Sequence, residues 1–181
     1  MMLKNPASKY PAFPPVRLLD RTWPDAVIRK TPIWLSTDLR DGNQALIEPM
    51  DGARKLRMFE MLLRLGFKQI EVGFPAASQV EYDFLRKLID ENRIPDDVTI
   101  QVMTPAREEL IARTVESLRG APRAIVHVYN AVAPVWREVV FGMSVPEVMG
   151  LVERSIAQVR RLTDEQPETE WVLHYSPETV S

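Results

Sequence analysis

At 181 residues, with 45% apolar and 27% charged positions, the chain has the composition of one folded domain, and neither a disordered tail nor a fibrous protein fits. The 23 Lys and Arg against 25 Asp and Glu leave a formal charge of -2 with no block of one sign, so nothing asks for nucleic acid or an anionic membrane. The absence of cysteine excludes a disulfide framework, a thiolate zinc site and a cysteine nucleophile, so any metal must be held by oxygen or imidazole. The start, MMLKNPASKYPAF, lacks the apolar stretch of a signal peptide, and the least polar later segment, residues 124–136, is too short to span a bilayer. A cytoplasmic protein is expected.

Residues 1–32 carry six of the fifteen prolines and few periodic apolar positions, which predicts an extended arm. From residue 33 onward, short β-branched runs alternate with stretches of helical period, the pattern of βα units on a parallel sheet. Strands are predicted at 33–39, 69–74, 98–103, 124–129 and 171–175. A first helix at 51–65 sets Leu56, Phe59, Leu62 and Leu63 on one side and stops before Gly66. The second opens on Ser78 and Glu81 in capping-box spacing, and the fourth repeats this with Ser144 and Glu147. The third is predicted to start at Thr104 with Pro105 in its first turn and to run to Gly120.

The strand faces select the architecture. Central strands of an open doubly wound sheet are apolar on both faces. Here Ile70 and Val72 alternate with Glu71 and Gly73, Val98, Ile100 and Val102 with Thr99, Gln101 and Met103, and Val126 and Val128 with His127 and Tyr129. The apolar parity suits a layer of helices and the polar parity a barrel interior. The expected fold is therefore α/β, a TIM (β/α)8 barrel of which residues 33–181 supply about five strands and four helices. A closed barrel takes roughly 250 residues.

Barrel enzymes place reacting groups at the C-terminal ends of strands. The first such end reads Asp38-Leu39-Arg40-Asp41-Gly42-Asn43-Gln44. It is either an ordinary polar turn or a site where Asp41 serves as a hard metal ligand and Arg40 stabilises a developing oxyanion. Glu71 must face the interior, where burial demands a partner, and a structural ion pair with Arg40 is favoured over direct catalysis. His127 shares the polar face and is a candidate substrate contact, with Asn130 just beyond it. His174, Ser176 and Glu178 alternate along the fifth strand, and for His174 the expectation is a hydrogen-bonded core residue. No glycine-rich phosphate loop, serine elbow or His-x-x-x-His is present.

Taken together, Leu39 through Ile47, Glu71-Val72-Gly73-Phe74-Pro75, Val126-His127-Val128-Tyr129-Asn130 and Tyr175-Ser176-Pro177-Glu178, with Asp20-Arg21-Thr22-Trp23-Pro24-Asp25 in the arm, resemble the 2-isopropylmalate synthase family, most closely its long form. The resemblance implies an acyltransferase of leucine biosynthesis that condenses acetyl-CoA with 2-oxoisovalerate. It further implies a divalent metal (Mg, Mn or Zn), a homodimer and a regulatory domain beyond the barrel. It assigns Asp41 to the metal, Arg40 to catalysis beside the substrate carbonyl, His127 and Ser176 to the oxo-acid pocket, and Glu178 to the reacting centre. Gln44 and Glu71 would support these groups from behind. The family's two remaining metal ligands form a His-x-His motif that this sequence does not contain, so the 181 residues are expected to be inactive alone. Homocitrate and citramalate synthases share the chemistry and stay open as readings. So does a non-enzymatic, open five-stranded α/β binding module.

Overall fold

The structure, a computed structural model, describes Asp20 and residues 30–180. The arm expected over residues 1–32, with its Asp-Arg-Thr-Trp-Pro-Asp motif, lies outside the described residues apart from Asp20 and residues 30–32. From Ile33 onward the chain forms five strands, β1 (Leu35–Ser36), β2 (Gln69–Gly73), β3 (Thr99–Pro105), β4 (Arg123–Ala131) and β5 (Glu170–Glu178), with helices α1 (Gly52–Leu65), α2 (Gln79–Asp90), α3 (Glu108–Ser117) and α4 (Val145–Asp164). The strands form one sheet in the order β1-β2-β3-β4-β5, every pair parallel. Sequential order without a reversal keeps right-handed crossovers on one face of the sheet, which is the arrangement of part of a (β/α) barrel.

The core lies between that face and the helices. Ile70, Val72, Ile100, Val102, Ala124, Val126 and Val128 are buried there against Phe59, Leu85, Leu88, Ile111 and Val115, and Leu173 and Tyr175 of β5 extend the same layer. The starts of α1, α2 and α4 have local causes. The Asp51 side chain accepts from the Arg54 N–H at 2.8 Å to cap α1, and Gly66, at φ 89°, closes it in the left-handed conformation that a Cβ would oppose. A complete capping box of Ser144 and Glu147 opens α4. At α2 the box is half made: Ser78 Oγ accepts from Glu81 N–H at 3.3 Å, whereas the Glu81 carboxylate is engaged elsewhere.

Two expected boundaries are corrected. The first strand is not 33–39. Only Leu35 and Ser36 pair with β2, Ile33 and Trp34 are exposed, and Asp38–Gly42 winds into a wide turn closed by Gly42 N–H donating to Thr37 O at 3.2 Å. Burial of Leu39 anchors that turn, and a wound backbone swings Arg40 over the end of β2. The third helix does not start at Thr104-Pro105. Those residues continue β3, because pairing with β4 persists to Pro105 opposite Tyr129 and Ala106 N–H donates to Tyr129 O. The ladder outweighs the local capping signal, and the helix begins only at Glu108.

Candidate active site

The open face of the sheet stacks its side chains in rows. The register sets Glu71 beside Gln101, Met103 beside His127 and His174, and Tyr129 beside Ser176. Glu71 is fully buried there. Its Oε2 accepts from Arg40 Nε at 2.9 Å and its Oε1 from Gln101 Nε2 at 3.2 Å, so the ion pair expected from the sequence is present. The same Gln101 nitrogen lies 3.4 Å from His127 Nδ1, and His127 Nε2 lies 2.7 Å from Ser176 Oγ. Arg40, Glu71, Gln101, His127 and Ser176 thus form one hydrogen-bonded chain from the first turn to the fifth strand. Gln101 was not among the sequence candidates. The visible signal was its parity between Ile100 and Val102.

Burial holds the His127 pKa below the usual histidine value; the Glu71 carboxylate opposes this, and the His174 ring and Arg40 charge add to it. His127 is therefore a neutral ring near pH 7. Burial and then the Glu178 charge push the Tyr129 phenol up, which keeps it protonated as a donor. Asp41 sits at the rim with its side chain 65% exposed and accepts from a second Arg40 nitrogen at 2.9 Å. Glu178 ends β5, opposite Ala131, half-buried.

Other expected residues fall differently. His174 is no core residue. It is exposed on the open face, edge-on to His127 with ring centroids 6.2 Å apart, because β5 has no neighbouring strand beyond β4 among the described residues. Asn130 points to the helix side, where its Oδ1 accepts from the Tyr175 hydroxyl at 2.8 Å. Gln44 is exposed, and the amide that bonds Glu71 is that of Gln101. Asn43 is buried and clamps the loop by accepting from Met50 N–H at 2.6 Å.

Beneath the loop after β2 lies a second polar device. Lys55 of α1, 1% exposed, is ion-paired with Glu81 of α2, and Glu81 Oε2 also accepts from Phe74 N–H at 3.2 Å. The register slips between Glu71 and Gly73, which turns Gly73 toward this carboxylate. A Cβ there would collide with Glu81 Oε2, which explains a glycine after Glu71-Val72.

Among the described residues no three His, Cys, Asp or Glu side chains come together as a metal centre. Asp41 supplies one carboxylate, one of whose oxygens is already engaged by Arg40. Divalent sites draw on several protein ligands, so these residues alone do not fit one. Residues 31–181 match the HMGL-like family. The chain belongs to the HMGL-like family. That family is one of TIM barrels, in agreement with the five parallel strands. This HMGL-like chain is similar to the 2-isopropylmalate synthases of Herbaspirillum seropedicae (strain SmR1), 62% identical over 178 residues covering 98% of this chain and 31% of the relative, and of Parvibaculum lavamentivorans, 60% identical over 180 residues covering 99% and 32%. The protein of that name from Azotobacter vinelandii is 57% identical over 180 residues, again 99% of this chain and 32% of the relative. The chain spans about a third of the length of these curated relatives.

Proposed function

We propose that these residues form the first part of the active site of a 2-isopropylmalate synthase, an acyltransferase that joins the acetyl group of acetyl-CoA to 2-oxoisovalerate. The supporting observation is the hydrogen-bonded chain from Arg40 to Ser176, which gathers residues from four of the five motifs of the resemblance onto one open, polar face. His127 and Ser176 receive the oxo acid. Glu178 takes a proton from the acetyl methyl group, the resulting carbanion bonds to the ketone carbon, and the ketone oxygen gains the negative charge. Arg40, oriented by Glu71, stands against that charge. Thioester hydrolysis then releases coenzyme A. Asp41 is assigned as one ligand of a divalent metal (Mg, Mn or Zn), whose chemistry when bound is to polarise the ketone. The other ligands have no counterpart among the described residues, and the 181 residues alone are proposed to be silent. Homodimerisation and a cytoplasmic location belong to the same proposal; among the described residues no helix is long and apolar enough to cross a membrane.

The test is a chimera in which this chain replaces the matching third of the Herbaspirillum relative. It is expected to release coenzyme A with 2-oxoisovalerate in preference to 2-oxoglutarate or pyruvate, and Arg40→Ala in that chimera is expected to abolish turnover. A preference for either other acid would move the assignment to a homocitrate or citramalate synthase, and a folded but silent chimera would overturn it.

A further inference from the structure

The hydrogen-bonded chain on the open face has a direction, set by which atoms carry protons. The buried Glu71 carboxylate, held by Arg40, has only acceptors to offer. Gln101 faces it with the side-chain nitrogen; the reversed amide would set Oε1 against a carboxylate oxygen at 3.2 Å with no proton between them. Gln101 keeps this orientation although Oε1 is thereby left buried without a partner, a sign that the charge on Glu71 decides the matter. The nitrogen is then a donor on both sides, and its second neighbour, His127 Nδ1 at 3.4 Å, must accept. A ring protonated at Nδ1, in either charge state, would point a hydrogen at a donor. The ring proton therefore sits on Nε2 and is given to Ser176 Oγ at 2.7 Å. With its lone pair so engaged, Ser176 has its own hydroxyl hydrogen left for an acceptor on the open face.

We propose that Gln101 is a positioning residue that keeps Nδ1 of His127 free of a proton, so that Ser176 presents its hydroxyl as a donor to a carboxylate or carbonyl oxygen of the oxo acid. The oxo-acid half rests on the function proposed above; the tautomer half does not. Gln101 makes no contact with substrate in this scheme. It acts through His127, as an outer partner does when it fixes the tautomer of a histidine by bonding to the other ring nitrogen.

The chain has only two histidines, which makes the test direct. In the 15N-labelled 181-residue protein carrying His174→Gln, long-range proton–nitrogen correlation, recorded above the pH at which His127 titrates, is expected to show Nε2 protonated and Nδ1 of the unprotonated type. A ring protonated at Nδ1 overturns the proposal without any further variant. Gln101→Glu, which turns the donor into an acceptor, is expected to move the proton to Nδ1, and Gln101→Met, which keeps length and removes the donor, is expected to give a mixture of both forms. An unchanged Nε2–H signature in whichever of the two folds overturns the role of Gln101. Addition of 2-oxoisovalerate is expected to shift the His127 ring signals, and this shift should be lost in Ser176→Ala. Its absence in the protein with Ser176 intact would overturn the oxo-acid half and leave the tautomer standing, so the two failures are told apart.

Discussion

Glu71 has no exposed surface, and the Arg40 guanidinium is its countercharge. Arg40→Ala leaves a buried carboxylate uncompensated and is expected to destabilise the fold by about 3–5 kcal/mol. Glu71→Gln removes the charge and keeps an acceptor, and is expected to cost less; urea unfolding of the two variants checks the order. His127 gives a pH signature. Its folded pKa lies below the unfolded value of about 6.5, so between the two the unfolded chain binds more protons, and stability rises with pH across that window. Stability is expected to be full above about 6.5 and to fall as the pH drops below it toward the folded pKa, and His127→Gln is expected to flatten that limb. Unfolding midpoints measured across the window decide this, since the lowered Glu147 carboxylate, held by Ser144, acts only at more acid pH. At this scale the sequence showed that Glu71 points inward and needs a partner, with Arg40 as a candidate, and the structure supplied the pairing. It could not show Gln101 in the chain, because an amide between two apolar strand residues has no spacing signature until the register sets it beside Glu71 and His127.

Between elements, the Lys55–Glu81 pair ties α1 to α2 and holds the loop after β2 through Phe74 N–H. Glu81→Ala would leave the Lys55 ammonium buried without its partner and is expected to cost about 3–5 kcal/mol. Gly73→Ala pushes the same carboxylate aside and is expected to cost about 1–3 kcal/mol, the penalty of a hydrogen bond lost at a buried group. Thermal unfolding of both variants tests the pair, and a neutral Gly73→Ala would show that Glu81 can move without loss. The sequence showed Ser78 and Glu81 only as a cap. The second use of Glu81 depends on Lys55, 26 residues away, and on helix packing that local spacing does not encode.

Across the molecule, an apolar cleft lies apart from the polar face. It opens between α4 and β5, about 530 Å³ in volume, with Val145, Val148, Met149 and Tyr175 among its walls, while Trp136, Val139, Val140 and Phe141 nearby are also exposed. With this surface uncovered and β5 paired only to β4 among the described residues, the 181-residue chain is expected to self-associate, which sedimentation velocity would show. It is also expected to release no coenzyme A with acetyl-CoA, 2-oxoisovalerate and metal present, because catalysis must remove about 8 kcal/mol or more of barrier and Asp41 alone does not hold a metal. Turnover by the isolated chain that is lost in Arg40→Ala would contradict this account of the site.

The order of elements, the parity of β2, β3 and β4 and the choice of a barrel over an open sheet were all determined by the sequence, because side-chain periodicity follows directly from backbone geometry. The tertiary structure decided where local signals compete with long-range pairing. Thr104 and Pro105 carry a helix-start signal yet extend β3, since a strand beside them offers ladder bonds that the cap cannot match. Residues after Ser36 read as strand yet wind into a turn, since burying Leu39 and bringing Arg40 to Glu71 requires it. The direction of the proton-bearing chain from Arg40 to Ser176 likewise came only with the register, because it depends on which atoms of five separate elements face one another.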